Sequence, residues 1–170
     1  MNRRTFVAAL MAGAFAVATL PAITAVSSPA AAAEKVKIAV VLKTLSSQYW
    51  KIVAAGAQAA AEKNNVDLIV LGPPTEDAVE QQINMVQDVL AQKPDALIFS
   101  PSQPDTAVNV ITKVRKAGIP VLLVDTGMPE KFTDYASFIG TDNIAAGKAG
   151  GEALLKVLKK GDKVLLLDRS

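Results

Sequence analysis

Short apolar segments alternate with segments of helical periodicity along this sequence, and this alternation constrains the fold more than any other feature. Residues 38–42 are apolar throughout and rich in β-branched side chains, which is typical of a strand covered on both faces of a sheet. Strands that alternate with helices predict an α/β fold, in which a parallel sheet carries helices on both faces. The pattern predicts six strands, at residues 36–42, 67–71, 95–99, 120–125, 136–140 and 163–168.

Four helices are predicted between these strands, at residues 49–63, 78–92, 103–117 and 144–158. Asn64 and Asn65 can end the first helix, and Gly118 the third, because these residue types tolerate positive φ angles. Asp77 and Glu80 occupy the positions of a capping box at the start of the second helix.

The first 33 residues show the three-part layout of a secretory signal peptide. Arg3 and Arg4 precede an apolar run at residues 6–20, and small residues follow up to Ala33. The run is shorter than the roughly 20 apolar residues that span a membrane, which disfavours a retained anchor. We therefore predict a signal peptide at residues 1–33 and a periplasmic location. The paired arginines followed by Phe6 also resemble the twin-arginine export signal, so both the Sec and the twin-arginine route stay open.

The composition excludes several classes of function. The sequence has no cysteine, which excludes disulfides and a lipid-modified cysteine anchor, and no histidine, which excludes a histidine-based metal site or catalytic relay. Beyond residue 33 there are 16 basic and 16 acidic residues, whereas a nucleic-acid-binding protein normally carries a basic excess. We expect no nucleic acid partner, no metal and no cofactor.

The sequence contains no enzyme motif. The first predicted strand is not followed by Gly-x-Gly-x-x-Gly, and a Walker loop, a nucleophile elbow and a zinc-ligand spacing are missing. Asp125 and Asp142 are the two acids at predicted strand ends that could form a catalytic pair, and either can equally be structural. The chain is therefore predicted not to be an enzyme.

Candidate ligand-binding residues follow the predicted strands, because ligands of open parallel sheets lie beyond the carboxyl ends of the strands. Tyr49 and Trp50 form an aromatic pair after the first strand, which suits stacking on the apolar faces of a sugar ring. The alternative is that Trp50 belongs to the buried stripe of the first helix. Asp125 ends the fourth strand, where its carboxylate could accept two hydroxyl hydrogen bonds or serve only in a turn.

Four blocks of sequence occur in a characteristic order. They are the aromatic pair leading to Gly56-Ala57-Gln58, the run Lys93-Pro94-Asp95-Ala96-Leu97-Ile98, the segment 118–125, and Gly140-Thr141-Asp142-Asn143 with Gly147. With these blocks, residues 35–170 resemble the ribose- and galactose-type periplasmic sugar-binding proteins, the type I solute-binding proteins of ABC transporters.

This resemblance implies a monomeric protein of two lobes, which close on a small sugar-like ligand and present it to the membrane permease of an ABC importer. It also implies that the chain crosses between the lobes at Asp142 and Asn143. Residues 34–141 would then form the N-terminal lobe, and residues 142–170 the start of a truncated second lobe. LacI-type regulators share the fold, but they carry a DNA-binding motif where this chain has its predicted signal peptide. The alternative left open is a sensor role, in which the lobe signals to a chemoreceptor or sensor kinase.

Carried over residue by residue, the resemblance places the two stacking aromatics at Tyr49 and Trp50, and the hydroxyl-binding carboxylate at Asp125. Ser47 stands where the family often has a polar residue before the aromatics. Gln103 is predicted to contribute from the loop after the third strand.

Two positions depart from the ribose-type members. Thr126 replaces an arginine that follows the binding aspartate, and Lys43 replaces a residue that is often serine. Both departures disfavour ribose itself as the ligand. Lys43 either favours an anionic or strongly polar ligand, or is a solvated lysine at a strand end.

Overall fold

The computed structural model describes residues 34–166, which form a five-stranded parallel sheet with four helices. The strands are β1 (Lys37–Val41), β2 (Asp67–Leu71), β3 (Ala96–Phe99), β4 (Val121–Val124) and β5 (Ser137–Ile139). The helices are α1 (Gln48–Lys63), α2 (Val79–Ala91), α3 (Pro104–Lys116) and α4 (Asn143–Leu155). The strand order is β2-β1-β3-β4-β5, and every neighbouring pair is parallel.

Side chains of the central strands alternate between two cores, because successive residues of a strand point to opposite faces of the sheet. Ala39 and Val41 of β1 pack in the larger core, under α2 and α3. Val40 and Leu42 lie in the smaller core on the other face, with Trp50 and other residues of α1. The larger core includes Val86, Leu97, Phe99, Ile111, Val121 and Leu123. Helices thus cover both faces of the sheet, and the predicted fold class is confirmed.

The ends of two helices agree with their sequence signals. Asn65 follows α1 with a φ of 55°, and Gly118 follows α3 with a φ of 82°. Both angles lie in the left-handed region, where asparagine and glycine are tolerated best and where a helix is commonly terminated.

The predicted capping box of α2 is wrong. Ala78 is the N-cap residue, and no side chain caps this helix. A hydrogen bond from the Thr75 side chain, together with one from the backbone of Asp77 itself, lowers the pKa of the Asp77 carboxyl below its ordinary value. Asp77 therefore stabilises a local turn, which competes with capping for the same carboxylate.

The C-terminal part of the chain differs most from the prediction. Residues 163–166 are exposed and form no strand, although a sixth strand was expected at residues 163–168. A strand needs hydrogen bonds from a neighbour, and no segment within residues 34–166 pairs with this one. Helix α4 likewise buries none of its residues. Residues 167 and 168 and the predicted signal peptide lie outside the described residues, and the lobe boundary after residue 141 stays a prediction.

Candidate ligand-binding site

The carboxyl ends of the three central strands lie side by side and carry three of the predicted site residues. Lys43 follows β1, Gln103 follows β3, and Asp125 follows β4 directly. Because these strands are neighbours in a parallel sheet, their ends meet at the same edge. Within residues 34–166, no group of three or more acidic side chains is arranged to hold a metal ion.

Asp125 is the centre of a small polar cluster at this edge. The Tyr49 hydroxyl donates to its Oδ1 at 3.2 Å, and the Thr126 hydroxyl donates to its Oδ2 at 2.9 Å. Lys43 Nζ lies 3.3 Å from the same Oδ2. The Asp125 side chain keeps 32% of its surface exposed and the Lys43 side chain 18%, so the cluster is formed yet reachable from solvent.

The backbone at Asp125 is strained. Its φ is 66°, in the left-handed region, which few residues other than glycine adopt without cost. The Asp125 N–H donates to Ile139 O at 2.9 Å, so pairing with the end of β5 holds the backbone in place. A residue held in this region costs on the order of 1–3 kcal/mol. Such residues are common at ligand sites, where the backbone conformation directs a side chain.

Tyr49 is the exposed aromatic residue of the predicted pair. Tyr49 is 56% exposed, and its hydroxyl is hydrogen-bonded to Asp125. Desolvation of the hydroxyl first, and the neighbouring Asp125 carboxylate second, raise the pKa of Tyr49 above its ordinary value. The hydroxyl is therefore protonated at neutral pH and acts as a donor.

Trp50 is a core residue, so the prediction that it stacks on a ligand is corrected in favour of the alternative, the buried stripe of α1. It is 2% exposed and packs with Val40 and Leu42. Its Nε1 donates to Glu76 Oε1 at 2.9 Å, which satisfies the one polar atom of the buried ring. The helical spacing that placed Trp50 on the inner stripe of α1 decides its position.

Trp50 nevertheless supports the cluster from the core side, because its buried ring contacts both Tyr49 and Lys43. Its ring meets that of Tyr49 edge to face, with centroids 4.8 Å apart and planes at 79°. Lys43 Nζ lies 5.8 Å from the centroid of the Trp50 ring, within the range of a cation–π contact. Trp50 thus fixes the positions of two residues that do reach the surface.

Ser47 and Gln103 are not joined to the cluster. Ser47 is the N-cap of α1, and its hydroxyl accepts from Trp50 N–H at 3.3 Å, so it secures the start of the helix that carries Tyr49. Gln103 is the N-cap residue of α3 and is exposed, and its side chain makes no capping bond. Among the described residues, no hydrogen bond connects Gln103 to Asp125, Tyr49 or Lys43.

Asp142 and Asn143 lie where the chain leaves the sheet after β5. The Asp142 carboxylate accepts from Ala145 N–H at 2.9 Å and caps α4, and Asn143 is the first residue of that helix. A capped helix start gives this junction a defined geometry. Their role in the crossover between lobes stays a prediction.

Buried polar residues next to the site were missed by the sequence reasoning. Gln82 is 1% exposed, and Ser100 is fully buried. The hydroxyl oxygens of Ser100 and Ser102 are buried without a hydrogen-bond partner among the described residues. The sequence contains one signal for the burial of Gln82. Gln82 shares the helical stripe of Val86 and Val89, and a polar residue within an apolar stripe indicates a buried polar group with a specific role.

Comparison with known proteins decides the family. Residues 38–170 match the family model described as periplasmic binding protein domain. The chain belongs to this family. The predicted resemblance to periplasmic sugar-binding proteins is confirmed, and the parallel sheet with helices on both faces is the architecture of this domain's solved relatives.

Several relatives of this periplasmic binding protein domain have names that state their ligands. The ribose import binding protein of Salmonella typhimurium is 31% identical over 152 residues, which are 88% of this chain and 50% of that protein. The D-ribose/D-allose-binding protein of Pseudomonas aeruginosa is 29% identical over 141 residues, which are 79% of this chain and 44% of that protein. An ABC transporter solute binding protein from Agrobacterium vitis, solved with bound D-fucose, is 36% identical with a TM-score of 0.67 over 71% of this chain and 42% of that chain.

The chain spans about half the length of the curated relatives it matches. By their names these relatives are binding proteins, in agreement with the prediction that this chain is not an enzyme. No helix in the part of the chain described by the structure has the length and apolar character needed to cross a membrane.

Proposed function

We propose that this chain provides the N-terminal lobe of a periplasmic protein that captures a monosaccharide and delivers it to an ABC importer. The observation that carries the proposal is the cluster of Lys43, Tyr49 and Asp125. Three side chains from separate segments converge at the carboxyl edge of the sheet and are held by contacts of 3.2 and 3.3 Å.

The chemistry of this cluster suits a sugar hydroxyl. The Asp125 carboxylate has about four acceptor sites, of which Tyr49, Thr126 and Lys43 occupy three, so it can accept from one sugar hydroxyl without losing a partner. The Lys43 ammonium group can donate to a ring or hydroxyl oxygen. Both groups are already ordered by their mutual contact, so little side-chain freedom is lost when a ligand binds. The same residues suit a neutral sugar, since the charge of Lys43 is balanced by Asp125.

Stacking is assigned to Tyr49 alone. Its exposed ring can cover the apolar face of a sugar ring, while buried Trp50 holds it from below. Ser47 contributes by capping α1. The Gln103 side chain is free to turn toward a ligand, since within residues 34–166 it makes no capping hydrogen bond and only the backbone carbonyl of Gln103 is bonded, to Ala107 N–H. The relatives named for ribose and D-allose and the one solved with D-fucose support a pentose or hexose as the ligand class.

A second lobe and a permease complete the proposal. Small-molecule sites typically bury about 70–90% of a ligand, and a ligand on this cluster would be covered by residues 34–166 from one side only. The family and the length of the relatives support a second lobe that closes over the ligand and a periplasmic location. We expect the complete protein to be a monomer. The closed form would then dock on the membrane permease.

A binding experiment tests the sugar assignment. The full-length protein is screened by thermal shift and calorimetry against neutral pentoses, hexoses and polyols and against acidic sugars. Asp125→Asn is the deciding variant, because asparagine also tolerates a positive φ angle and the fold is kept. We expect it to weaken binding at least about tenfold, since a hydrogen bond to a charged group contributes about 1.5–3 kcal/mol and a factor of ten corresponds to about 1.4 kcal/mol.

Asp88→Asn is the matched control, because Asp88 is exposed on α2 and makes no side-chain contact with the cluster. The proposal is wrong if no sugar binds, or if Asp125→Asn binds a sugar as tightly as the unchanged protein does. The import step is tested separately, by uptake of the bound sugar in cells that lack this protein.

A further inference from the structure

Gln82 on α2 is a fully buried polar side chain at the end of the β1–β3 ladder. The last paired residues of these strands are Val41 and Phe99. Immediately beyond them, Gln82 Nε2 donates to Leu42 O and to Ser100 O, each at 2.9 Å. Its Oε1 accepts from Ser102 N–H at 2.9 Å.

The orientation of this amide follows from its partners. Two of the partners are carbonyl oxygens, which can only accept, and the third is an N–H group, which can only donate. Only one orientation of the amide satisfies all three, and in it both N–H donors are used. The side chain therefore acts as an inserted peptide group that joins two strands where their own pairing ends.

We propose that Gln82 is a positioning residue of the sugar site, and this inference rests on the function proposed above. Leu42 directly precedes Lys43, which contacts Asp125. Ser100 and Ser102 begin the loop that ends at Gln103. Gln82 thus sets the spacing between the starting points of two ligand loops, although it lies in the interior and touches no ligand itself.

The substitution Gln82→Glu tests this role with almost no change in shape. At pH 9.5, above the pKa of about 8–9 that buried glutamates reach, a carboxylate at this position faces the carbonyl oxygens of Leu42 and Ser100 without a proton to donate, so the two loops separate. At low pH the protonated carboxyl regains one donor. We expect the Kd relative to wild type to rise at least about tenfold at pH 9.5 and to fall below about threefold at pH 5.

Gln87→Glu is the matched control, because Gln87 lies on the same helix and is exposed. It should bind as wild type does at both pH values. The probes are D-ribose, D-allose and D-fucose, measured by calorimetry at temperatures where circular dichroism shows each variant to be folded. A role limited to stability would lower the midpoint of thermal unfolding but leave the Kd of the folded protein unchanged at every pH.

The outcomes separate this inference from the proposed function. If wild type binds neither these three sugars nor any other sugar of the screen described above, the sugar assignment fails and the positioning role fails with it. If wild type binds but Gln82→Glu has the same affinity, or a weakened affinity that does not recover at pH 5, only the positioning role is overturned.

A measurement on the wild-type protein covers the case in which Gln82→Glu does not fold. Both side-chain amide protons of Gln82 should exchange slowly with solvent and shift in the nitrogen–proton NMR spectrum when sugar saturates the site, because both are bonded to loops that contact it. Rapid exchange, or resonances that do not move on saturation with a sugar that binds, would contradict the proposal.

Discussion

At the scale of single residues, the neighbours Trp50 and Tyr49 have different proposed roles. Trp50 supports the candidate site from the core, and Tyr49 is proposed to contact the ligand. Trp50 is buried in the smaller core, so Trp50→Ala should lower the free energy of unfolding by about 3–5 kcal/mol. Tyr49→Ala, at the exposed neighbouring position, should cost about 1 kcal/mol or less but weaken sugar binding. Chemical denaturation of both variants measures the difference. A cost below about 1 kcal/mol for Trp50→Ala would mean that the ring is not part of the core.

The hydroxyl of Tyr49 provides a pH-dependent test of the same cluster. Its pKa is raised first by desolvation and then by Asp125, so Asp125→Asn should lower this pKa only part of the way toward its ordinary value. A group whose pKa is raised on folding stabilises the folded state below its unfolded pKa, near 10 for tyrosine, and this stability is lost as the pH rises through the folded pKa. Tyrosinate absorbance in a Tyr135→Phe background, where Tyr49 is the remaining tyrosine of residues 1–170, follows the titration. A pKa of Tyr49 unchanged by Asp125→Asn would show that the two side chains are apart in solution.

At the scale of elements, Gly56 and Gly118 distinguish a replaceable glycine from one that its backbone conformation requires. An added Cβ would meet no atom within 4 Å at Gly56 in α1 or at Gly118 after α3, and only Gly118 has a positive φ, of 82°. Gly56→Ala should therefore raise the free energy of unfolding by about 1 kcal/mol, because alanine is the better helix former. Gly118→Ala should lower it by about 1–2 kcal/mol, because alanine is strained in the left-handed region. Equal effects of the two changes, measured by denaturant unfolding, would exclude the helix-ending role of Gly118.

The same elements mark how far the sequence can be interpreted. The five strands were predictable because short apolar segments rich in β-branched residues alternate with helical ones, and β1, β3 and β4 carry the buried positions. The ends of α1 and α3 were predictable because Asn65 and Gly118 are needed at positive φ. The N-cap of α2 was not predictable. The Asp77 carboxylate can bond either to the start of the helix or within its own turn, and sequence spacing does not distinguish these two arrangements. The segment 163–166 has the composition of a strand, but a strand also depends on a partner.

At the scale of the whole molecule, topology brings predicted site residues to one edge of the sheet, and packing decides which of them are in contact. Parallel strands end at one edge, and Lys43 and Asp125 were both predicted to follow strands; in the structure they lie 3.3 Å apart. Which of two adjacent aromatics faces solvent depends on the rotation of α1 about its axis, which places Trp50 inward and Tyr49 outward. Gln82 belongs to α2, and its bonds to Leu42 and Ser100 follow only from the three-dimensional packing of that helix.

The route by which the molecule reaches its compartment gives the last prediction. A periplasmic function requires export, and the twin arginines before the apolar run at residues 6–20 are compatible with two routes. We expect cleavage near Ala33, so that the intact mass of the periplasmic protein corresponds to a chain beginning near Glu34. Replacing both Arg3 and Arg4 by lysine keeps the charge that the Sec route needs but disrupts twin-arginine recognition. Loss of export in this double variant would assign the twin-arginine route and unchanged export the Sec route, whereas a periplasmic protein that retains residues 1–20 would contradict the signal peptide itself.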